Sequence, residues 1–176
     1  VNFPADDTFH AGYEKALEQV RTELGHSHPI IIGGRELFSG PESEALSPID
    51  RRIVVGKFQN ATPDLIRSAI AAASEGFPAW RDRDWKERTR IIQKTADILD
   101  SQKFFLAALI TCESGKNRYE AVAEAWEAVD MLRYHTEIYK KQEGFVISTR
   151  PESAEAESRS IMRPYGTWAV ISPFNF

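Results

Sequence analysis

The residues best suited to chemistry lie at the end of the sequence, in Ile171-Ser172-Pro173-Phe174-Asn175-Phe176. The amide of Asn175 offers two N–H donors and no titratable proton, so it can stabilise a developing oxyanion at any pH. It follows a Pro-aromatic turn after an apolar run, where α/β folds place their ligands. The alternative is an asparagine that only satisfies the backbone of a turn.

A second candidate is an acidic stripe on the helix that we predict over residues 119–141. Helical spacing places Glu120, Glu124 and Glu127 on one side together with Met131. The opposite, buried side is predicted to be apolar: Val122, Ala125, Trp126, Val129 and Leu132. A charged stripe is usually a solvated face. Near a substrate, the same carboxylates would balance an ammonium group.

The single cysteine, Cys112, is not predicted to be a nucleophile. It shares a helical face with Phe105, Ala108 and Leu109, which is typical of a small buried apolar residue. One cysteine cannot form an internal disulfide, so the sequence favours a reducing compartment. The four histidines are scattered along the chain and, with one cysteine, predict no zinc cluster.

Composition limits the classes of partner. The net charge of −4 and the pI of about 5.6 argue against nucleic-acid binding through bulk positive charge. No apolar run approaches the roughly 20 residues that a membrane span needs. The first residues lack the basic and apolar regions of a signal peptide. We therefore expect a cytoplasmic protein whose ligand is a small molecule, with no nucleic-acid or membrane partner.

Most of the chain is predicted to be helical. Apolar spacing predicts a helix over residues 9–24, and helix starts are predicted at Thr62 and Asp84. A shorter helix is expected over 103–113, ending at Gly115. Two extended pieces around Gly33-Gly34 predict a hairpin over 30–38, residues 39–47 are expected to form a loop, and 53–58 to form a strand.

The character of the sequence changes after Gly144. Residues 145–150 and 158–163 predict a two-stranded ribbon whose edges need a partner, such as another subunit. The nearly continuous apolar run over 166–172 predicts a buried parallel strand. Such a strand needs neighbours and crossover connections, so we expect these 176 residues to be the N-terminal part of a larger protein. The expected units are 1–143, the ribbon at 144–163, and the first strand of a parallel sheet at 164–176.

Short motifs in a fixed order along residues 28–176 resemble the aldehyde dehydrogenase superfamily. The quoted pieces are Ile31-Ile32-Gly33-Gly34-Arg35, Ser47-Pro48-Ile49-Asp50, Ala71-Ala72-Ala73 with Phe77 and Trp80, Glu87-Arg88, Glu113-Ser114-Gly115-Lys116, Leu132-Arg133-Tyr134, and the last seven residues. His135-Thr136 depart from the pattern. The long first helix, the Ile-Gly-Gly form and Phe174 are similar to the 1-pyrroline-5-carboxylate dehydrogenases, which oxidise L-glutamate γ-semialdehyde to glutamate.

The resemblance implies a role for each candidate residue. It places Asn175 in an oxyanion hole and Ile171, Ser172, Pro173 and Phe174 beside the nicotinamide–ribose part of NAD or NADP. Phe176 would line the aldehyde tunnel, and Glu127 matches a position that faces this tunnel. For each of these residues the alternative is an ordinary structural role in a turn, a core or a solvated helix face.

The resemblance also implies an α/β fold: the N-terminal portion of the NAD(P)-binding domain, with an oligomerisation ribbon and the first strand of a Rossmann-like sheet. Catalysis would need a cysteine nucleophile and a water-activating glutamate that these residues lack, so the chain alone is not expected to turn over. The ribbon at 144–163 implies a homo-oligomer. The alternatives are a non-catalytic fragment that acts as a scaffold, and an aldehyde dehydrogenase of another substrate class.

Overall fold

Helices dominate the structure, a computed structural model that describes residues 6–38 and 40–172. The described helices are α1 (Asp7–Glu23), α2 (Pro63–Asp82), α3 (Trp85–Ser101), α4 (Lys103–Ser114) and α5 (Arg118–Lys141). The strands are β1 (Ser27–His28), β2 (Ile30–Ile32), β3 (Arg35–Leu37), β4 (Glu42–Leu46), β5 (Val54–Gln59), β6 (Val146–Thr149) and β7 (Ser158–Ile161). This mixture of helix and sheet confirms the predicted fold class.

The helix boundaries follow from capping residues that the sequence displays. The Thr62 hydroxyl accepts a hydrogen bond from the Leu65 amide at 3.3 Å, and Asp84 accepts from the Lys86 amide at 2.7 Å. Helix α4 ends at Gly115, whose φ of 77° lies in the left-handed region that glycine adopts without strain. The predicted starts at Thr62 and Asp84 and the predicted end at Gly115 are confirmed.

The hydrophobic core lies where α1 and α5 pack against α4. Val20 is fully buried, and Val122 and Val129 are each 1% exposed. Complete burial of a valine side chain contributes about 1.5–3 kcal/mol to the free energy of unfolding. The main buried cluster consists of Phe9, Tyr13, Ala16, Val20, Ala107, Ala108, Ala121 and Val122. Helix α3 covers another side of α5, so α5 is held between neighbours along much of its length.

Strand β5 is the middle strand of a three-stranded sheet. It pairs parallel with β1, with Ser27 opposite Lys57, and antiparallel with β4, with Ala45 opposite Gly56. The expected loop over 39–47 is therefore wrong for β4. Its Glu-Ser-Glu-Ala-Leu sequence is mostly exposed and has little alternation of apolar and polar residues. The strand is instead held by its hydrogen bonds to β5.

Two separate hairpins complete the described strands. Strands β2 and β3 pair with Ile32 opposite Arg35, and Gly33 and Gly34 turn the chain with φ of 57° and 77°. Strands β6 and β7 form the predicted ribbon, with Val146 opposite Ile161. Both hairpin predictions are confirmed.

The structure differs from the predicted strand over 166–172. Residues 162–172 form neither helix nor strand, and Val170 and Ile171 are 86% and 89% exposed. The physical reason is that a strand exists only through hydrogen bonds to a neighbouring strand, and the described residues supply none beside this segment. Helix α2 is uncovered as well: it has no buried residue, and its Ile66 and Ile70 are 51% and 56% exposed.

Candidate functional site

The sequence-predicted site residues divide into two groups. Pro173, Phe174, Asn175 and Phe176 lie outside the described residues. Ile171 and Ser172 are exposed at the end of the described segment, whereas Glu127 lies in the middle of α5. The described structure therefore gives geometry for the acidic stripe and not for the asparagine.

An open cleft of about 1040 Å³ runs along α5. Glu127 lines it, and so do both other carboxylates of the predicted stripe and the two charged residues Lys116 and Arg133. The remaining lining residues are Ala123, Trp126, Val129 and Asp130. The acidic stripe therefore lines an open cleft, with its carboxylates exposed to solvent.

Helical geometry explains why these carboxylates point into the cleft. The Asn117 side chain caps α5 by accepting hydrogen bonds from the amides of Tyr119 and Glu120, at 3.0 and 3.1 Å. The period of 3.6 residues then turns Val122 and Val129 into the core, and Glu127 to the other side. The burial pattern expected from the sequence is confirmed for this helix.

Ion pairs commit some of the charges in the cleft. Lys116 Nζ lies 2.5 Å from Glu124 Oε2. Arg133 Nη2 lies 3.1 Å from both Asp97 Oδ1 and Asp100 Oδ2. The hydrogen bond from Arg133 lowers the pKa of Asp100 below its usual range. Both cations of the cleft wall are therefore already neutralised by carboxylates of this chain.

Three carboxylates of the cleft wall have no such partner. Among the residues with described positions, Glu120, Glu127 and Asp130 form no ion pair. A partly enclosed surface whose carboxylates form no ion pair favours a cationic ligand. An ammonium group that binds there loses water, and its hydrogen bonds to the carboxylates replace part of this lost hydration. The arrangement can bind and orient a cation. It contains no group placed to act as a nucleophile.

Cys112 lies away from this cleft. It is partly buried and packs against the core cluster. Burial raises the pKa of its thiol, and the nearby Arg21 lowers it to a smaller extent. A thiol that is kept protonated is a poor nucleophile, which agrees with the structural role predicted from the sequence.

Sequence reasoning missed the contributions of Lys116, Asp130 and Arg133 to the cleft. Lys116 forms an ion pair with Glu124, a residue eight positions later. A search for charged residues at intervals of three and four around Glu127 finds Asp130. Lys116 lies in the turn before α5, so helical spacing does not predict the position of its side chain.

Two other kinds of site are absent from the described ranges, 6–38 and 40–172. No helix there combines the length and apolar character of a membrane span. The same ranges contain no group of three or more histidine, cysteine, aspartate or glutamate side chains that could hold a metal ion.

Comparisons with known proteins converge on one family. A model of the aldehyde dehydrogenase family matches residues 38–176. The 1-pyrroline-5-carboxylate dehydrogenase of Geobacillus sp. (strain WCH70) is 32% identical over 165 residues, which cover 93% of this chain and 32% of that protein. The 1-pyrroline-5-carboxylate dehydrogenase 1 of Halalkalibacterium halodurans is 33% identical, with the same coverage. The chain thus spans about a third of the length of these curated relatives.

A solved structure shows the same likeness in three dimensions. The structure of 1-pyrroline-5-carboxylate dehydrogenase from Thermus with bound NAD superposes with a TM-score of 0.77 and is 28% identical. The superposition covers 80% of this chain and 27% of that one.

Proposed function

The chain belongs to the aldehyde dehydrogenase family, and we propose that the full-length protein oxidises L-glutamate γ-semialdehyde to glutamate, a step of proline catabolism, with NAD as the hydride acceptor. The observation that carries this proposal is Glu127, an ion-pair-free carboxylate in the wall of the α5 cleft. The names of the relatives support the same substrate.

The charge of the cleft fits the substrate. L-Glutamate γ-semialdehyde is an aldehyde that carries an α-ammonium group, and a carboxylate is the natural partner of this cation. Glu124 is committed to Lys116. Of the other two carboxylates of the stripe, Glu120 and Glu127, we assign Glu127 to the ammonium group because the resemblance places its position at the aldehyde tunnel. A simple aliphatic aldehyde has no charge for Glu127 to recognise.

Asn175 is proposed to stabilise the oxyanion. When a thiolate attacks an aldehyde, the carbonyl oxygen becomes an alkoxide, and amide N–H groups directed at it lower the barrier. The nucleophilic cysteine and the water-activating glutamate are proposed to lie outside these 176 residues. Phe176, next to Asn175, is proposed to line the path of the aldehyde.

The cofactor is proposed to bind at the end of the chain. Ile171 is 89% exposed and Ser172 is exposed, so this apolar segment is accessible to a flat nicotinamide ring. Pro173 and Phe174 would complete the contact. NAD supplies the acceptor for the hydride that leaves the aldehyde carbon. The solved relative with bound NAD supports NAD rather than NADP.

The ribbon at 144–163 is proposed to join copies of the protein into a homo-oligomer, and the protein is proposed to be cytoplasmic. Strands β6 and β7 pair only with each other among the described strands, so each keeps one free edge. Residues 1–143 would be the N-terminal part of the NAD-binding domain, and 164–176 would begin its parallel sheet.

The experiment compares two aldehydes in the full-length protein. We expect Glu127→Gln to raise KM for L-glutamate γ-semialdehyde about tenfold, since a hydrogen bond to a charged group contributes about 1.5–3 kcal/mol. The kinetic constants for propanal stay unchanged. Glu137→Gln, an exposed change on the same helix outside the cleft, is the matched control. NADH absorbance measures both reactions.

Two results decide the proposal. Unchanged discrimination between the two aldehydes in Glu127→Gln would remove this residue from the substrate site. Asn175→Ala is expected to lower kcat about 10²–10³-fold for both aldehydes, because the lost donor serves every aldehyde alike. Normal turnover in Asn175→Ala would contradict the oxyanion role.

A further inference from the structure

A polar cluster joins α1 to the first turn of α5. Arg118 Nη2 donates to Glu14 Oε1 at 2.7 Å, and Arg118 Nη1 lies 3.0 Å from His10 Nδ1. The Tyr119 hydroxyl lies 3.4 Å from the other ring nitrogen of His10. His10, Glu14, Arg118 and Tyr119 are called the α1 latch below. More than 100 residues of sequence separate its two sides.

The chemistry of arginine fixes the direction of these hydrogen bonds. A guanidinium can only donate, so His10 Nδ1 must accept, and the neutral imidazole then carries its proton on Nε2. This N–H donates to the Tyr119 oxygen. Each member of the latch thus has a hydrogen-bond partner on the other helix, and these hydrogen bonds together favour one arrangement of α1 and α5.

Aromatic rings surround the charged centre. The Arg118 guanidinium lies 4.9 Å from the centre of the Tyr13 ring, and Phe9 stacks on Tyr119 at 5.4 Å with an interplanar angle of 5°. The side chains of Arg118 and Glu14 are 31% and 56% exposed, so the arginine end of this pair is partly shielded from water. Such a pair holds its geometry better than two freely solvated side chains.

The latch lies at the end of the α5 cleft. Arg118 is the first residue of α5, directly after the capping residue Asn117. Lys116 and Glu120, two residues to either side of Arg118, both line the cleft. A shift of the first turn of α5 would therefore move the Lys116–Glu124 ion pair. This movement would change the electrostatic potential in the cleft beside Glu127.

Helix α1 lies outside the part of the chain that the family model matches. That match begins at residue 38, whereas α1 spans Asp7–Glu23. The match to the Geobacillus relative covers 165 of the 176 residues and leaves too few unmatched positions to omit α1 entirely. At least part of the helix is thus shared with that relative, although it is not part of the general family domain.

We propose that Arg118, held by His10 and Glu14, is a positioning residue that sets the affinity of the cleft for its amino-aldehyde substrate. This inference rests on the function proposed above. The latch fixes the first turn of α5, and this turn fixes Lys116 and Glu120. These two residues line the same cleft as Glu127, to which the ammonium group of the substrate is assigned.

A charge exchange in the full-length protein tests the latch. Arg118→Glu places two carboxylates together, and we expect KM for L-glutamate γ-semialdehyde to rise about threefold, as for the loss of a partly exposed ion pair. The kcat value and KM for propanal stay unchanged. Adding Glu14→Arg restores an ion pair of opposite polarity, so the double variant recovers the original KM. Glu18→Arg, an exposed change on α1, is the control.

Each outcome has a distinct meaning. An unchanged KM for the semialdehyde in Arg118→Glu overturns the latch, and so does a double variant that folds yet does not recover. Equal losses for both aldehydes indicate a purely structural contact and also overturn it. If Arg118→Glu does not fold, Arg118→Gln replaces it in the same assays. If the unmodified protein oxidises propanal but not the semialdehyde, the proposed substrate fails, and the latch fails with it.

Discussion

Position on α5 decides which carboxylates of the cleft form an ion pair. Glu124 and Glu127 are three residues apart and line the same cleft, yet only Glu124 is paired with Lys116. The difference comes from the turn before the helix, which brings Lys116 beside the earlier carboxylate. At the scale of single residues, function therefore depends on which charges the chain has already neutralised.

Cys112 supports a prediction at the same scale. Because burial raises the pKa of its thiol, little thiolate is present at neutral pH, and the thiolate fraction grows only as the pH rises toward that raised pKa. We expect iodoacetamide to alkylate Cys112 at pH 7.5 at least about tenfold more slowly in the folded protein than in urea. Peptide mass spectrometry of residue 112 measures both rates.

The companion variant is Cys112→Ala. It keeps a small apolar side chain against the core, so we expect turnover of the full-length protein to be unchanged. Rapid alkylation of Cys112 with parallel loss of activity would show that this thiol takes part in the reaction.

Helical periodicity was sufficient to predict the face of Glu127, because burial of Val122 and Val129 fixes the rotation of α5. The latch was beyond prediction for a physical reason. His10 and Arg118 meet only because α1 and α5 both pack against α4. Residue spacing within each helix does not predict this contact between the two helices.

At the scale of elements, the link between α5 and β6 is an unusual turn. Glu143, Gly144 and Phe145 have consecutive positive φ values of 48°, 74° and 59°. Two of them are not glycine, so the turn holds backbone strain that the neighbouring contacts must offset. Phe145 meets the Tyr139 ring at 5.5 Å, and Gly144 is buried against Trp85. This turn sets the direction in which the ribbon leaves the helices.

Gly144→Ala is expected to lower the free energy of unfolding by about 2 kcal/mol. The added Cβ would lie 2.7 Å from Trp85 Cδ1, in a backbone conformation that alanine rarely adopts. Gly76→Ala, in open space within α2, is the control and is expected to stabilise by about 1 kcal/mol. Urea unfolding measures both. Equal stability of Gly144→Ala and the unmodified protein would refute the close packing on Trp85.

The helices were predictable from the sequence, and the strands only in part. Apolar spacing, together with capping residues for most of them, predicted the five helices of the described residues, because each helix makes its own hydrogen bonds. Strand β4 was missed and the segment over 166–172 was overpredicted, because a strand depends on a partner that lies elsewhere in the chain. The domain boundaries expected at 143 and 163 stay predictions.

At the scale of the whole molecule, the ribbon carries exposed apolar side chains on both of its faces. Val146, Ile147 and Ile161 are 39%, 49% and 46% exposed on a two-stranded sheet. An isolated ribbon is marginally stable in water, so its free edges and exposed apolar side chains are proposed to pair with another copy.

Ile147→Lys is therefore expected to reduce the proposed homo-oligomer to smaller species, because an ammonium group would be buried in the proposed contact without a partner. Light scattering after gel filtration measures the mass. Ile31→Lys is the matched control, since Ile31 is 67% exposed on the other hairpin. An unchanged mass for Ile147→Lys, or an equal loss in both variants, would contradict the role of the ribbon.

Helix α1 supplies Phe9, Tyr13, Ala16 and Val20 to the main buried cluster, although it precedes the part of the chain that defines the family. A recombinant version trimmed to begin at residue 38 would leave the apolar surface of α4 open to water. Such a protein would be prone to aggregate during expression. Its lack of activity would then be attributed wrongly to the loss of a catalytic residue. For this protein, the boundary of a family domain is a poor guide to where the gene can be cut.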